Sequence, residues 1–395
     1  MYKTFFQSII LFSLVIITMI AVAEPQPVRI GLNADLSAAD AESGEAIRRG
    51  ALLAMAEINA AGGVLGRPLS LDVRDHRRNP ARGVANVQAF AAEPDLVAII
   101  GGKHTPVIFA ELDAIHAHRI PYLIPWAAGT GLVDNGYTPN FVFRVSVRDE
   151  YAGRFLVEHA LERGYQRLGL VLEQTGWGRS NELAVQFALA DHGLRPTHTE
   201  WFNWGESDFK ATLRRLEEVG VDVVIFVGNA PDGVSFIRAL AQRPAMQRLP
   251  VISHWGISGG EFTEPLGEIL NHVDLVFLQT FSFLAPPFPE RAARVFQDYQ
   301  QHFAPVSSPA EIAAPTGLAH AYDLVHLLAL AIEHAGSTER SAVRDALEHI
   351  RFHAGLLRDY QPPFTSERHD ALTTADYRLA RYVNGMIVPL AIGLH

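Results

Sequence analysis

Short hydrophobic runs alternate along most of the chain with longer segments in which hydrophobic residues recur every three or four positions. The short runs are rich in Val, Ile and Leu, a composition typical of strands that are buried on both faces. The predicted strands are Val28–Asn33, Leu69–Asp75, Leu96–Ile100, Tyr122–Ile124, Phe141–Val145, Arg167–Leu172, Val223–Val227, Val251–His254 and Asp274–Gln279.

The longer segments have the period of amphipathic helices. In Ala46–Ala60, for example, Ile47, Ala54 and Ile58 fall on one face, and Gly62-Gly63 supplies a stop just beyond the end. The other predicted helices are Ala81–Ala92, Val107–His118, Glu150–Arg163, Arg179–His192, Phe209–Val219, Gly233–Arg243 and the longer Gly317–Ala335.

This alternation of strand and helix predicts an α/β fold with parallel sheets that are covered on both faces. The two halves of the chain each hold about five strands, and a Pro-rich segment at 285–289 suggests that the chain then returns to the first half. We predict two doubly wound parallel-sheet lobes joined by a multi-strand hinge. The N-terminal lobe comprises 24–146 and 281–358, and the C-terminal lobe comprises 147–280 and 359–395.

The first 23 residues have the pattern of an export signal. Lys3 precedes an apolar run from Ile9 to Ile20, and Ala21-Val22-Ala23 has the small-x-small form that a signal peptidase accepts. We predict cleavage after Ala23, with an uncleaved membrane anchor as the alternative. Because the chain contains no Cys, it offers neither a disulfide nor a cysteine for lipid attachment.

The charge balance argues against several partners. The chain has 43 acidic and 33 basic residues, a formal net charge of −10, and such a surface repels nucleic acid and anionic lipid headgroups. We expect no nucleic-acid partner and a monomeric protein. We find neither a phosphate-binding loop nor a complete dinucleotide fingerprint, so we expect no cofactor.

The histidines give no strong indication of a metal site. His349 and His353 are four residues apart on a predicted helix, a spacing that can bind a metal ion, but no third ligand is evident. We therefore interpret them as part of a solvated helical face and expect no metal ion.

One loop has features of a ligand-binding turn. Gly101-Gly102-Lys103-His104-Thr105-Pro106 follows the predicted strand Leu96–Ile100 and leads into a helix. Ligands of open α/β sheets bind outside the carboxyl ends of the strands, beside helix N-termini whose free N–H groups attract carboxylates. We expect Thr105 to be the N-cap and Pro106 the first helical residue. The alternative is that Thr105 only caps its helix.

Gly256-Ile257-Ser258-Gly259-Gly260 matches the G-x-S-x-G pattern of serine hydrolases. A nucleophile elbow of that kind requires a strained strand-to-helix turn, and the residues after Gly260 give no clear helix start. A chance match in a Gly-rich chain is the simpler interpretation. Hydrolysis through Ser258 stays a minor alternative, and we expect no enzyme activity.

Several motifs together resemble the type I periplasmic binding proteins of the leucine/isoleucine/valine-binding (branched-chain amino acid) family. The resemblance covers nearly all of 28–395 and is specific only as a combination. Its pieces are Ile30-Gly31 through Leu36-Ser37, Glu57-Ile58-Asn59, Gly62-Gly63-Val64-Leu65-Gly66, Val97-Ala98-Ile99-Ile100-Gly101, Ile120-Pro121-Tyr122 to Pro125, and Phe143-Arg144.

The resemblance implies a type I periplasmic binding fold. It also implies a periplasmic protein that captures a small solute between its lobes and delivers it to an ABC permease in the inner membrane. By position in the family pattern, the ligand-binding residues would be Ser43, Lys103, His104, Thr105, Trp126, Ala127 and Ala128 from the first lobe and Trp177, Asn229 and Trp255 from the second.

Two of these positions depart from the pattern that the resemblance implies for an amino-acid binder. Trp255 stands where an acidic residue would hold the ammonium group, and Ala128 stands where a hydroxyl would join the carboxylate grip. A buried ammonium without a partner costs several kcal/mol. Asp232 or Glu206 could supply the missing carboxylate from elsewhere.

These departures change the expected ligand. Three tryptophans, with Lys103 and His104 adding positive charge, favour a small organic acid or amide with an apolar or aromatic body, ahead of free leucine. We assign Trp201 and Trp204 to structure, away from the cleft. The same fold could instead report its ligand to a membrane sensor kinase or cyclase, and the sequence does not separate transport from sensing.

Overall fold

A computed structural model describes residues 25–303 and 306–390. The predicted signal segment and its cleavage after Ala23 lie outside these residues. Within them, no helix combines the length and the hydrophobicity that crossing a bilayer requires.

The first lobe is built on a five-stranded parallel sheet. In chain order its strands are β1 (Val28–Ala34), β2 (Leu69–Asp75), β3 (Leu96–Ile100), β4 (Tyr122–Ile124) and β5 (Val142–Arg144). Their spatial order is β2-β1-β3-β4-β5, so the winding reverses between β1 and β3. A reversal of this kind opens a crevice at the carboxyl ends of the two strands, where ligands of such sheets bind.

Three helices connect these strands: α1 (Ala41–Ala60), α2 (Pro80–Ala91) and α3 (Thr105–Ala117). Strand β3 reads Leu-Val-Ala-Ile-Ile, and all five side chains are buried, because helices cover both faces of the sheet.

The second lobe is built on a seven-stranded sheet. Its parallel strands are β6 (Leu168–Glu173), β7 (His198–Phe202), β8 (Val223–Val227), β9 (Val251–Ser253) and β10 (Leu275–Gln279). Helix α4 (Asp149–Glu162) precedes β6. The helices between the strands are α5 (Gly176–Ala190), α6 (Lys210–Glu218), α7 (Ala230–Ala241) and the short α8 (Thr263–Leu266).

After β10 the chain returns to the first lobe and then comes back. Helices α9 (Pro289–His302), α10 (Pro315–Ala335) and α11 (Arg340–Leu347) pack beside the first sheet, and α10 lies along α1. The short strands β11 (His353–Ala354) and β12 (Asp359–Tyr360) pair with each other. Strands β13 (Arg378–Val383) and β14 (Met386–Pro389) then add an antiparallel edge to the second sheet.

The two lobes and their largely parallel sheets confirm the predicted α/β fold class. The residue boundaries assigned to the lobes stay a prediction. The helix expected to carry both His349 and His353 was wrong, because α11 ends at Leu347 and His353 lies in strand β11.

Candidate functional site

The carboxyl ends of the central strands of the two sheets face each other across a narrow cavity. The cavity measures about 10 Å³, which is room for about one water molecule, so the two lobes are closed on each other. Its walls are Lys103, His104, Thr105, Pro106, Trp126 and Ala128 of the first lobe and Glu173, Trp177, Asn229, Trp255 and Gly256 of the second.

The loop after β3 packs closely against Tyr122 of β4, and its helix cap differs from the predicted one. A Cβ atom on Gly101 would lie 2.4 Å from the ring of Tyr122, so only glycine fits there. His104 occupies the N-cap position of α3 without a side-chain capping bond, and Thr105 is the first helical residue. The expectation that Thr105 is the N-cap was therefore wrong by one position.

The hydroxyl of Thr105 holds the neighbouring turn. Its Oγ1 accepts a hydrogen bond from the backbone N–H of Gly129 at 3.3 Å, which joins α3 to the turn after β4. Pro106 has no N–H, and the N–H of Val107 donates to the backbone oxygen of His104 at 3.1 Å, so what this end of α3 presents is the positive end of the helix dipole, where Thr105 and Pro106 line the cavity. This end of the cavity is suited to an anionic group.

All three N–H donors of the Lys103 ammonium have partners within the protein. Its Nζ lies 2.8 Å from Oδ1 of Asp40 and donates to the backbone oxygens of Gly256 at 2.9 Å and Gly259 at 3.4 Å. An ammonium has three donors, and two of these contacts are on the second lobe. Lys103 thus connects the closed lobes and keeps no donor for a ligand.

Asp40 is the buried anion of this cluster. Burial would raise the pKa of Asp40, but Lys103, His104 and Arg78 together hold it below its ordinary value. Nε2 of His104 lies 3.2 Å from Asp40 Oδ2. Burial lowers the pKa of His104 despite that contact, so its imidazole is neutral near pH 7.

Among the described residues, one set of side chains has the geometry of a metal site, and it belongs to the same cluster. Ligand atoms of Asp35, Asp40 and His104 lie within 4.8 Å of one another. Because the cations of Lys103 and Arg78 lie 2.8 Å and 3.4 Å from Asp40, they would repel a metal ion there.

Tryptophans form much of the remaining wall. The rings of Trp126 and Trp255 are tilted against each other with centroids 5.7 Å apart, and both side chains are almost fully buried. Nε1 of Trp177 donates to Asp149 at 3.2 Å. These rings offer apolar area and the π-faces that attract cations.

Glu173, which sequence reasoning missed, places a carboxyl group in the cavity wall. It is the last residue of β6, and its side chain is buried. Its oxygens accept bonds from Thr175 Oγ1 at 2.6 Å, Trp204 Nε1 at 2.9 Å and Asn229 Nδ2 at 3.0 Å. Burial raises the pKa of Glu173 to about 7. The available signal was a charged residue that ends an apolar strand at its carboxyl edge.

Three expectations about neighbouring residues need correction. Trp204 does not lie away from the cleft, because it donates to Glu173 and its ring lies 4.5 Å from the guanidinium of Arg78. Neither Asp232 nor Glu206 lines the cavity; Asp232 accepts from the backbone of Gly205, and Glu206 accepts from two backbone N–H groups of its own turn. The acidic side chain in the cavity wall is instead that of Glu173.

The structure brings most of the expected ligand-binding residues together but leaves two outside the wall. Ser43 is buried in the first turn of α1, where its Oγ donates to the backbone oxygen of Asp40 at 2.7 Å. Ala127 packs into the hydrophobic core of the first lobe. Those that line the cavity are Lys103, His104, Thr105, Trp126, Ala128, Trp177, Asn229 and Trp255.

Ser258 does not sit on a nucleophile elbow. It ends a single 3-10 turn, Trp255–Ser258, and its Oγ donates to the backbone oxygen of Trp255 at 2.7 Å. Among the described residues no histidine is hydrogen-bonded to it. The geometry that a hydrolase requires is therefore missing at Ser258.

Comparison with known proteins gives a consistent assignment. The family model described as "Periplasmic binding protein" matches residues 27–386. The chain is 25% identical to Leu/Ile/Val-binding protein homolog 1 of Brucella melitensis over 352 residues, which is 88% of each chain.

Solved structures share the fold. The branched-chain amino acid transporter substrate-binding protein LivJ from Streptococcus pneumoniae, in complex with isoleucine, aligns with a TM-score of 0.77 at 20% identity, over 92% of this chain and 100% of that one. A solute-binding protein of an ABC transporter from R. palustris, in complex with 4-hydroxybenzoate, aligns with a TM-score of 0.77 at 16% identity, over 93% and 96% of the two chains.

Proposed function

The chain belongs to the periplasmic binding protein family, and from that premise we propose that it is an exported protein that captures one small solute between its lobes for an ABC importer. The proposed solute is an amino acid or a related organic acid or amide with an apolar or aromatic body. The relatives' names point to branched-chain amino acids, and two structural neighbours hold isoleucine and 4-hydroxybenzoate. We place the protein in the periplasm.

The observation that carries this proposal is a cavity with walls from both lobes. On the first lobe, the start of α3 with Thr105 is suited to a carboxylate, and on the second lobe Trp177, Trp255 and Asn229 face it. The closed cavity has room for about one water molecule, so a larger solute can enter only if the lobes separate. Hinge closure around a ligand is the motion that such a layout allows.

The ligand contacts in this proposal are Thr105, Trp126, Ala128, Trp177, Asn229 and Trp255. Lys103 and His104 contribute indirectly, because both are bonded to Asp40. We therefore assign Lys103 to the contact between the lobes and His104 to the positioning of Asp40 within the first lobe. Glu173 places a carboxyl group in the cavity wall, which supports amino acids beside organic acids as candidate solutes.

Isothermal titration calorimetry with a panel of leucine, isoleucine, phenylalanine and 4-hydroxybenzoate tests the proposal. We expect at least one of them to bind, and small-angle X-ray scattering should show a more compact particle when that ligand is present. Native mass spectrometry of the purified protein would reveal a ligand carried from the cell. A protein that binds no panel member, carries no small molecule and keeps one scattering profile would refute the proposal.

A further inference from the structure

Glu173 differs from the other charged groups at the cleft because no cationic side chain of the described residues forms an ion pair with it. Its hydrogen-bond partners are a hydroxyl, an indole N–H and an amide N–H, which are all neutral. Asp40, by contrast, contacts Lys103, and Arg78 lies 3.4 Å from it. A buried carboxylate that lacks a cationic partner is costly to ionise.

The three partners also leave Glu173 with capacity to spare. A carboxylate can accept about four hydrogen bonds, and three are made within the second lobe. The side chain forms part of the cavity wall, and the unfilled acceptor position is on Oε1, which among the described residues accepts only from Thr175. The indole of Trp204 and the amide of Asn229 both hold Oε2 and thereby fix the direction of the carboxyl group.

The surrounding wall suits a positive charge. Trp177 and Trp255 line the same cavity on the second lobe. Aromatic faces attract cations, and a desolvated site strengthens that attraction. The ammonium of Lys103 lines the cavity as well, but its charge is paired with Asp40 at 2.8 Å.

From this geometry we propose that Glu173 is a specificity-determining residue that accepts a hydrogen bond from a positively charged amine of the ligand. The inference rests on the proposed function and narrows it, because the ligand would carry an amine facing the second lobe and an anionic group facing the start of α3. Amino acids meet both requirements. Carboxylic acids of the same skeleton without nitrogen meet only the second.

Removal of the charge at constant shape tests this proposal. In Glu173→Gln the amide oxygen can still accept from Trp204 and Asn229, so the wall is kept while the negative charge is lost. We expect leucine or phenylalanine, whichever the wild type binds, to lose affinity about 10-fold or more, as the loss of a charge-assisted hydrogen bond implies. The deaminated counterparts 4-methylpentanoate and 3-phenylpropanoate should bind wild type and variant equally weakly. The matched control is Glu206→Gln, which removes a half-buried carboxylate outside the cavity.

The dependence of affinity on pH gives a readout that a purely structural role would not change. Burial raises the pKa of Glu173 to about 7; Asp232 also raises it and Arg78 lowers it, while Lys103 and His104 are bonded to Asp40. Only the ionised carboxylate pairs with an ammonium, so wild-type affinity for the amine should rise between about pH 6 and pH 7 and level off above. Glu173→Gln should lack that rise.

The outcomes separate the two proposals. If the deaminated acids bind as tightly as the amines and Glu173→Gln changes neither, the role of Glu173 is refuted while the proposed function stands. If Glu173→Gln and the control Glu206→Gln lose the same affinity for the amine, the effect of Glu173→Gln is not specific. The inference is then likewise refuted. If no amine and no acid binds to the wild type, both proposals fail.

Discussion

The two sides of the cleft treat a buried carboxyl group in opposite ways. On the first-lobe side, Lys103, His104 and Arg78 surround Asp40 and hold its pKa below the ordinary value, against the effect of burial. On the second-lobe side, Glu173 has only neutral donors, and burial raises its pKa to about 7. The charge of Asp40 is thus balanced by cationic side chains of the protein, whereas Glu173 has no cationic partner among the described residues.

This difference separates closure from recognition. Lys103 joins Asp40 of the first lobe to the backbone oxygens of Gly256 and Gly259 of the second, so its charge is used at the contact between the lobes. The three hydrogen bonds of Glu173 all lie within its own lobe and do not cross between the lobes. We infer that the first side holds the lobes together and the second selects what lies between them.

The largest expected effect on stability comes from removing the Lys103–Asp40 ion pair on the first-lobe side of the cleft. Lys103→Met keeps the aliphatic stem but leaves Asp40 buried without its nearest cation. Removing one partner of a buried ion pair typically costs about 3–5 kcal/mol, so the free energy of unfolding should fall by about 3 kcal/mol. Urea denaturation followed by circular dichroism measures this change.

A matched control is Lys210→Met, because Lys210 is exposed at the start of α6. That variant should change the free energy of unfolding by less than about 0.5 kcal/mol. The double variant Asp40→Asn, Lys103→Met should recover part of the loss, since both charges are then gone. A Lys103→Met protein as stable as the Lys210→Met protein would show that the pair is not needed for the closed structure.

Much of the fold followed from the pattern of hydrophobic residues, for a clear physical reason. Central strands such as β3 and β8 are continuous apolar runs because both of their faces are buried. Strand β7 was missed, because it is an edge strand that reads His-Thr-Glu-Trp-Phe and mixes polar with apolar residues. The final hairpin was also missed, although Asn384-Gly385 is a favourable turn and both residues have positive φ.

The site was only partly predictable. The family resemblance is confirmed by the match over 27–386, and with it the expectation of a binding protein rather than an enzyme. The pairing of Lys103 with Asp40 joins residues 63 positions apart, and no local sequence pattern predicts such a contact. Glu173 and Trp204 were missed for the same reason, since 31 positions separate them and only the folded chain brings them together at the cleft.

A third buried carboxyl group shows what burial does in a lobe core, away from the cleft. Glu111 accepts bonds from Asn33 Nδ2 at 2.8 Å and Tyr122 OH at 2.5 Å, and burial raises its pKa to about 8. Because the folded pKa lies above the unfolded value, this group favours folding at low pH and loses that contribution as pH rises toward 8. The effect should approach about 2 kcal/mol between about pH 6 and pH 8.

Glu111→Gln should remove that part of the pH dependence, because an amide does not ionise. Urea unfolding midpoints at several pH values would measure the difference between the slopes of variant and wild type. Glu158→Gln, which changes an exposed glutamate on α4, should keep the wild-type slope. If Glu111→Gln and the wild type lose stability in parallel, burial without a cation does not raise this pKa, and the same argument for Glu173 is weakened.

A smaller effect tests direct contact on the first side. Thr105→Ala removes the hydroxyl at the start of α3 that accepts from Gly129. We expect the affinity for the tightest ligand of the calorimetric panel to weaken by more than about 1 kcal/mol, since a hydrogen bond to a charged ligand group is lost. Thr212→Ala on α6 is the control, and equal affinities in the two variants would remove Thr105 from the ligand-binding residues.

The smallest expected effect tests the aromatic wall of the second side. Trp177→Phe keeps a ring in the cavity but loses area and the Nε1 donor to Asp149, so affinity should fall by about 0.5–1 kcal/mol. Trp201→Phe is a matched control, because that ring lies under the guanidinium of Arg179 outside the cavity wall. Calorimetry should show a loss for the first variant alone. Equal losses would mean that tryptophan replacement acts through the stability of the second lobe, and the proposed division between closure and recognition would then lack support from its aromatic side.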